Sequence, residues 1–256
     1  MIILLHSSKT MRAVGKEGNS LRRPALLGRA EKIDQYLKTL SPAQLKKIMH
    51  ISAPLAEKTH HLISQWSAKP GEQSLALDSF VGDIYRGFRA SELSSADRDY
   101  ADKHLYILSG LYGCVRPYDG IRPYRLEMAY KLPAEQFNNL YRYWGESIAD
   151  NLPAGPIVNV SSVEYSKTIT PFVEPSRVIA PEFLTIDPKT GQPTFFAVHA
   201  KVARGAFARW MIQKRIETVG DLQKFDDLNY RFEPRLSTAN KPTFVCKTFG
   251  GLGLTV

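Results

Sequence analysis

Six side chains in this chain have both the chemistry and the company to act as acids, bases or nucleophiles. Lys9 stands in the polar run Ser7-Ser8-Lys9-Thr10, directly after the apolar residues Met1 to Leu5. Asp83 and Tyr85 fall in Gly82-Asp83-Ile84-Tyr85-Arg86-Gly87, and Glu127 lies between Leu126 and Met128 beside Arg125. A carboxylate in apolar surroundings calls for a cationic partner, and the same setting suits a general acid or base. Glu164 and Lys167 follow the apolar stretch Pro156 to Val160. Polar residues just past a buried strand suit a ligand site in α/β proteins, so Ser8, Thr10, Asn159, Ser161 and Tyr165 are candidates to line a polar pocket. Ser161 with Lys167, or Ser8 with Lys9, is a weak version of a serine–lysine nucleophile pair.

A second set of residues points to phosphate. Gly110 and Gly113 enclose Leu111-Tyr112 and suit a tight hairpin between helices, whose backbone N–H groups would grip an anion. Arg116, Arg122 and Arg125 lie close by in the sequence, while Lys201, Arg204 and Arg215 fall together on one side of a helix proposed below. Across 256 residues, 34 Lys+Arg against 25 Asp+Glu give a formal charge of +9, a balance that favours anionic partners.

Other chemistries lack support. The lysine of Ser8-Lys9-Thr10 has no upstream glycines to make a phosphate loop, and no Gly-x-Gly-x-x-Gly opens a helix. The six histidines form no metal-site pattern, so no metal or cofactor is expected. Cys114 and Cys246 read as inert thiols in a reducing compartment. The apolar start is too short for a membrane span and lacks a basic flank, which places the chain in the cytoplasm and away from membranes. The sequence carries no signal for an oligomeric state.

The elements that must position these residues read as a mixed α/β (α+β) fold in one domain spanning 1–256, with a mixed sheet and surrounding helices. Strands are expected at Met1 to Leu5, Leu75 to Tyr85, Pro156 to Val160, Arg177 to Ala180, Thr194 to Val198 and Thr243 to Lys247. Helices are expected at Ala30 to Leu40, from the capping box Ser41-Pro42-Ala43-Gln44, at Pro54 to Trp66, from Ser94-Asp97 through Leu108, and at Tyr141 to Ala149. The segment Val198 to Arg215 is the most amphipathic, with Val202, Ala203, Ala206, Phe207, Trp210 and Met211 on one arc. Thr10 to Arg23 reads as irregular, and the tail from about residue 248 as mobile.

Several of these segments resemble one known family. Ser7-Ser8-Lys9-Thr10 resembles its S-P-A-K-T, and Gly82 to Gly87 its G-D-V-Y-x-G. Leu108 to Met128 is similar to L-S-G-L-Y-G-x-L-R-P-x-D-x-I-x-P-Y-R-L-E-M-G, Leu140 to Gly145 to L-Y-x-F-W-G, Asn159 to Lys167 to N-L-A-S-x-E-Y-x-K, and Ala200 to Gly205 to A-K-x-A-R-G. The blocks stand in family order over nearly the whole chain. The family is that of YaaA, associated with resistance to hydrogen peroxide and with limiting free iron. The resemblance implies DNA binding and a mixed α/β fold with a helix–hairpin–helix-like element, which falls at Gly110 to Gly113. Here Ser7 and Ser8 replace the usual proline and alanine, Ala129 replaces a glycine, and Val160 and Ser161 replace leucine and alanine.

Two functions follow. In the first, the protein binds double-stranded DNA through its phosphates with little sequence preference and protects against oxidative stress. In the alternative it is an enzyme acting on a nucleotide-like or other anionic small molecule. Convergence of the candidate residues in one pocket favours the enzyme. Their spread over an open basic face favours DNA, whereas arginines each neutralised by an acidic neighbour remove its electrostatic basis.

Overall fold

The computed structural model describes residues 1–12 and 21–251. The chain opens with β1 (Ile2–His6), whose first four residues are buried, and a short β2 (Thr10–Met11). Three helices follow: α1 (Leu27–Leu37), α2 (Pro42–Met49) and α3 (Ala53–Gln65). The capping box at α2 forms as its residue types require. Gln44 N–H donates to Ser41 Oγ, the Gln44 side chain accepts from Ser41 N–H, and Pro42 occupies the first turn. Within α1, Gly28 has open space where a Cβ would stand. Gly28→Ala is therefore expected to stabilise the protein by about 0.5–1 kcal/mol, read as a raised denaturant midpoint.

The stretch Leu75 to Tyr85 is not one strand. It divides into β3 (Ser74–Leu75), α4 (Ala76–Ser79), β4 (Phe80–Val81) and α5 (Asp83–Phe88). The break falls at Gly82, whose φ of 122° belongs to a region that favours glycine. Next, α6 (Ser95–His104) is capped reciprocally by Ser94 and Asp97 but stops well before Leu108. Leu105–Ser109 is instead β5, fully buried, and turns back into β6 (Gly113–Val115). β7 (Gly120–Ile121), α7 (Leu140–Trp144), β8 (Ile157–Asn159), α8 (Val163–Ser166) and β9 (Val178–Ile179) complete the first half of the fold. The remainder is β10 (Glu182–Ile186), β11 (Pro193–Thr194), α9 (Ala197–Gln213), β12 (Arg231–Phe232) and β13 (Thr243–Cys246).

The principal sheet has the order β6-β5-β1-β8-β9. β5, β1, β8 and β9 run parallel, with Leu4 opposite Tyr106 on one side and Asn159 on the other, and β6 is antiparallel. From β1 the chain moves to β5, whereas from β8 it moves the opposite way to β9. The crevice beyond the carboxyl ends of β1 and β8 is thus the point where a parallel sheet offers room for a ligand. A second sheet, β11-β10-β13-β12, packs its Phe183 and Phe244 against Phe207 of α9. One continuous apolar core runs from Ile2 to Cys246, joining both sheets through α9. Among the described residues no helix is long and apolar enough to cross a membrane.

The Gly110–Gly113 segment is a β-hairpin between β5 and β6, not a hairpin between helices. It is buried, Tyr112 N–H is already taken by Ser109 Oγ, and a Cβ at Gly110 would lie 2.3 Å from the Leu126 carbonyl oxygen. These glycines serve close packing, since a Cβ at Gly113 would also lie 2.9 Å from the Trp144 ring. At the other end, Thr248 to Gly251 is held rather than loose. The Phe249 ring stacks on His199 at 4.1 Å, and Gly250 N–H donates to Leu228 O. The last five residues, for which mobility was expected, lie outside the described residues, as does most of Thr10 to Arg23.

Candidate functional site

Beyond the carboxyl ends of β1 and β8, five separate segments close around a cavity of 360 Å³. β1 delivers His6 and the loop Ser7-Ser8-Lys9, and the β4–α5 junction delivers Gly82 and Asp83. The extended chain after β7 brings Glu127, the turn after β8 brings Ser162, Glu164 and Tyr165, and the first half of α9 brings Lys201. Such a volume suits a small molecule.

Local bonds fix the frame. Ser8 Oγ accepts from Val81 N–H at 3.2 Å and donates to Thr10 O at 2.5 Å, tying the Lys9 loop to β4. Arg125 donates to the Lys9 carbonyl at 2.9 Å from the other side. Tyr85, fully enclosed, donates to the His6 carbonyl at 2.8 Å, so its role is to hold β1. Ala129 N–H donates to Glu164 Oε1 at 2.9 Å, which joins the Glu127 segment to α8.

A short hydrogen-bonded chain links three of the lining side chains. Ser7 Oγ donates to Tyr165 Oη at 3.1 Å, and Tyr165 Oη donates to Glu127 Oε1 at 3.3 Å. Glu127 is 8 % exposed. Burial raises its carboxyl above the ordinary range, the Glu164 carboxylate raises it further, and Lys9 opposes both. Its direct partner is the Tyr165 phenol rather than the cation that its sequence setting called for. The same burial lifts the Tyr165 hydroxyl well above its usual value, so it stays a neutral donor.

His6 was not singled out by its sequence neighbours, yet it lines the cavity with its ring stacked on Tyr165 at 5.1 Å. Its Nδ1 accepts from Ser162 N–H at 3.2 Å. Burial, then the charges of Arg204 and Lys201, depress its pKa to about 3. It is a neutral ring at ordinary pH. Arg204 is largely enclosed itself, and burial lowers its pKa.

Other candidates do not join the site. Asn159 Oδ1 accepts from Ser161 N–H at 3.1 Å and from Ser161 Oγ at 2.6 Å, a local turn, and neither side chain lines the cavity. Lys167 is exposed and does not line the cavity. The expected phosphate-binding arginines are scattered and largely paired. Arg116 donates to Asp102, Arg122 lies 3.5 Å from Glu72, and Arg215 lies 2.8 Å from Asp97 with its guanidinium over Tyr100. Arg215 also lies beyond the end of α9 with a φ of 53°, so it shares no helical face with Lys201.

Comparison with known proteins adds the family. The model for "Peroxide stress protein YaaA" matches residues 1–236. The chain belongs to the YaaA family. A UPF0246 protein of Salinispora tropica is 52% identical over 257 aligned positions, covering 100% of this chain and 98% of that protein. UPF0246 proteins of Marinomonas sp. and Burkholderia lata are each 37% identical, covering 87% and 96% of this chain, and 87% and 97% of their own lengths. The YaaA-like blocks seen in the sequence supply Lys9, Asp83, Glu127, Glu164, Tyr165 and Lys201 to the one cavity.

Proposed function

We propose that the protein binds a small anionic molecule in this cavity and carries out proton-transfer chemistry on it. The observation that carries this reading is the meeting of Lys9, Asp83, Glu127, Glu164 and Lys201, from five segments far apart in the chain, around 360 Å³. Glu127 is the acid–base group, because burial and Glu164 hold its proton more tightly than a free carboxylate would. Tyr165 orients it, and Lys9 and Lys201 supply positive charge where an anion or a developing negative charge would sit. The family's name, that of a peroxide stress protein, supports placing this chemistry in the response to peroxide.

Duplex binding is the second reading, favoured by the formal charge of +9. Against it, Arg116, Arg122 and Arg215 each have an acidic neighbour, so less of that charge is free to meet a phosphate backbone. Thermal unfolding of the full chain with AMP, with adenosine or with a short DNA duplex separates the two. AMP is expected to raise the midpoint saturably, and Lys201→Ala to weaken that response. A duplex that stabilises instead, with affinity falling steeply between roughly 50 and 200 mM salt, would move the assignment to DNA.

A further inference from the structure

Beside the carboxylate-lined cavity lies a second one of 550 Å³, and the two share Thr10, Val81, Gly82 and Asp83 as a common wall. Its charged lining differs in kind: Arg12, Arg86 and Arg89 against Asp83 alone. Three guanidiniums and one carboxylate leave two positive charges. None of the three arginines belonged to the phosphate-binding set expected from the sequence.

Two of them are fixed in place. Arg12 donates through Nε to the Asp78 carbonyl at 3.0 Å. Arg89 has a left-handed backbone with φ of 47°, and its N–H donates to Tyr85 O at 2.9 Å. Its guanidinium meets Glu92 at 2.9 Å, and Glu92 also receives Arg209, which Asp227 pairs in turn at 2.9 Å. Arg86 is over half exposed and reaches only to 4.0 Å from Asp83.

We infer that this second chamber seats a phosphate monoester of the molecule whose reacting part occupies the carboxylate-lined cavity. The inference rests on the small-molecule reading above and narrows it to a phosphorylated compound. An anion matches the predominance of guanidiniums in this lining, and guanidinium forks suit phosphate oxygens better than lysines do. Thr10, Val81, Gly82 and Asp83 border both chambers, so the phosphate seat adjoins the cavity that holds Glu127. The positive charge that the sequence suggested for a nucleic-acid surface is, on this view, focused inside a cleft.

The test is equilibrium binding of inorganic phosphate, AMP and adenosine to the full chain, the variants Arg12→Gln and Arg86→Gln, and the charge-matched control Arg235→Gln in the turn after β12. Both test residues are exposed enough to be changed without unfolding the protein, which unfolding midpoints will verify. Phosphate and AMP affinities are expected to fall tenfold or more in each test variant, with the control unchanged and adenosine indifferent to all three. Phosphate binding that is absent, or equal in parent and variants, overturns the phosphate seat. Should AMP still bind in Arg86→Gln and Arg12→Gln while Lys201→Ala abolishes it, the small-molecule reading survives and only the seat is lost. Conversely, phosphate sensitive to the arginines beside AMP that binds no better than phosphate leaves the seat and removes the larger ligand. A duplex that displaces phosphate from the parent, and binds the two variants tenfold more weakly, assigns the chamber to nucleic acid and overturns the proposal.

Discussion

Gly205→Ala is expected to destabilise the protein by about 3 kcal/mol or more, the upper end of what overpacking a core costs. Helices α5 and α9 cross with their backbones in contact, and glycine stands on both sides of the crossing. A Cβ at Gly205 would lie 1.7 Å from the Ile84 carbonyl oxygen and 2.7 Å from Phe88 N, and one at Gly87 would lie 1.9 Å from the Val202 carbonyl oxygen. Those neighbours are backbone atoms and cannot rotate away as a flexible side chain would. The helices must part, which strips Phe88 and Phe207 of packing in the core. For a chain of this size the thermal midpoint should fall by about 6–12 °C. Gly28→Ala, made where there is open space, is the matched control and moves the midpoint the other way. The crossing also sets the site, since Asp83 opens α5 and Lys201 lies in the first half of α9, 4.0 Å apart. A Gly205→Ala protein as stable as the parent would mean that the two backbones do not touch.

What the sequence disclosed follows from how local each signal is. The capping residues Ser41 and Ser94 act within four residues, so both helix starts were readable, and α9 was readable from its apolar period. β5 was not. All five of its residues are buried, as befits a strand in the middle of a parallel sheet, so it has no alternation and reads as the tail of the preceding helix. The same cause misplaced the hairpin at Gly110: helical flanks were inferred where the residues on both sides are strands. At the site, residue types were legible and their meeting was not. Ser7 and Tyr165 are brought together because β1 pairs with β8, a contact between the two ends of a long intervening chain, and Glu127 joins them because Ala129 N–H reaches Glu164 on α8. The pairing of the basic residues was not legible either, because Arg116, Arg122 and Arg215 find acids remote in the sequence at Asp102, Glu72 and Asp97. His6 carried one usable signal, its position as the last residue of a buried strand before a polar loop.

That position leads to the pH dependence. Stability is expected to fall by about 3 kcal/mol between pH 7 and pH 4 on account of His6 alone, at about 1.4 kcal/mol for each unit by which the unfolded chain takes up the proton first. The ordinary histidine value is 6.5, and in the folded protein burial, Arg204 and Lys201 bring it to about 3. The unfolded chain therefore binds the proton earlier as pH falls. His6 thus adds its full share above about pH 6.5 and progressively less as pH drops towards 3. Glu127 acts in the opposite sense. Its raised folded value means that it holds a proton longer when folded, and its contribution declines as pH rises through that value. Comparing the parent with His6→Asn removes the Glu127 part from the difference, because both proteins keep that carboxyl. Asparagine also retains an acceptor for Ser162 N–H, the bond that Nδ1 now receives at 3.2 Å. Denaturant curves across this range should show the parent losing stability relative to His6→Asn as acid is added. Parallel curves would mean that the folded ring accepts a proton freely. In that event His6 would compete with Glu127 for the acid–base role, and the positive charge facing any anion would rise by one in mild acid.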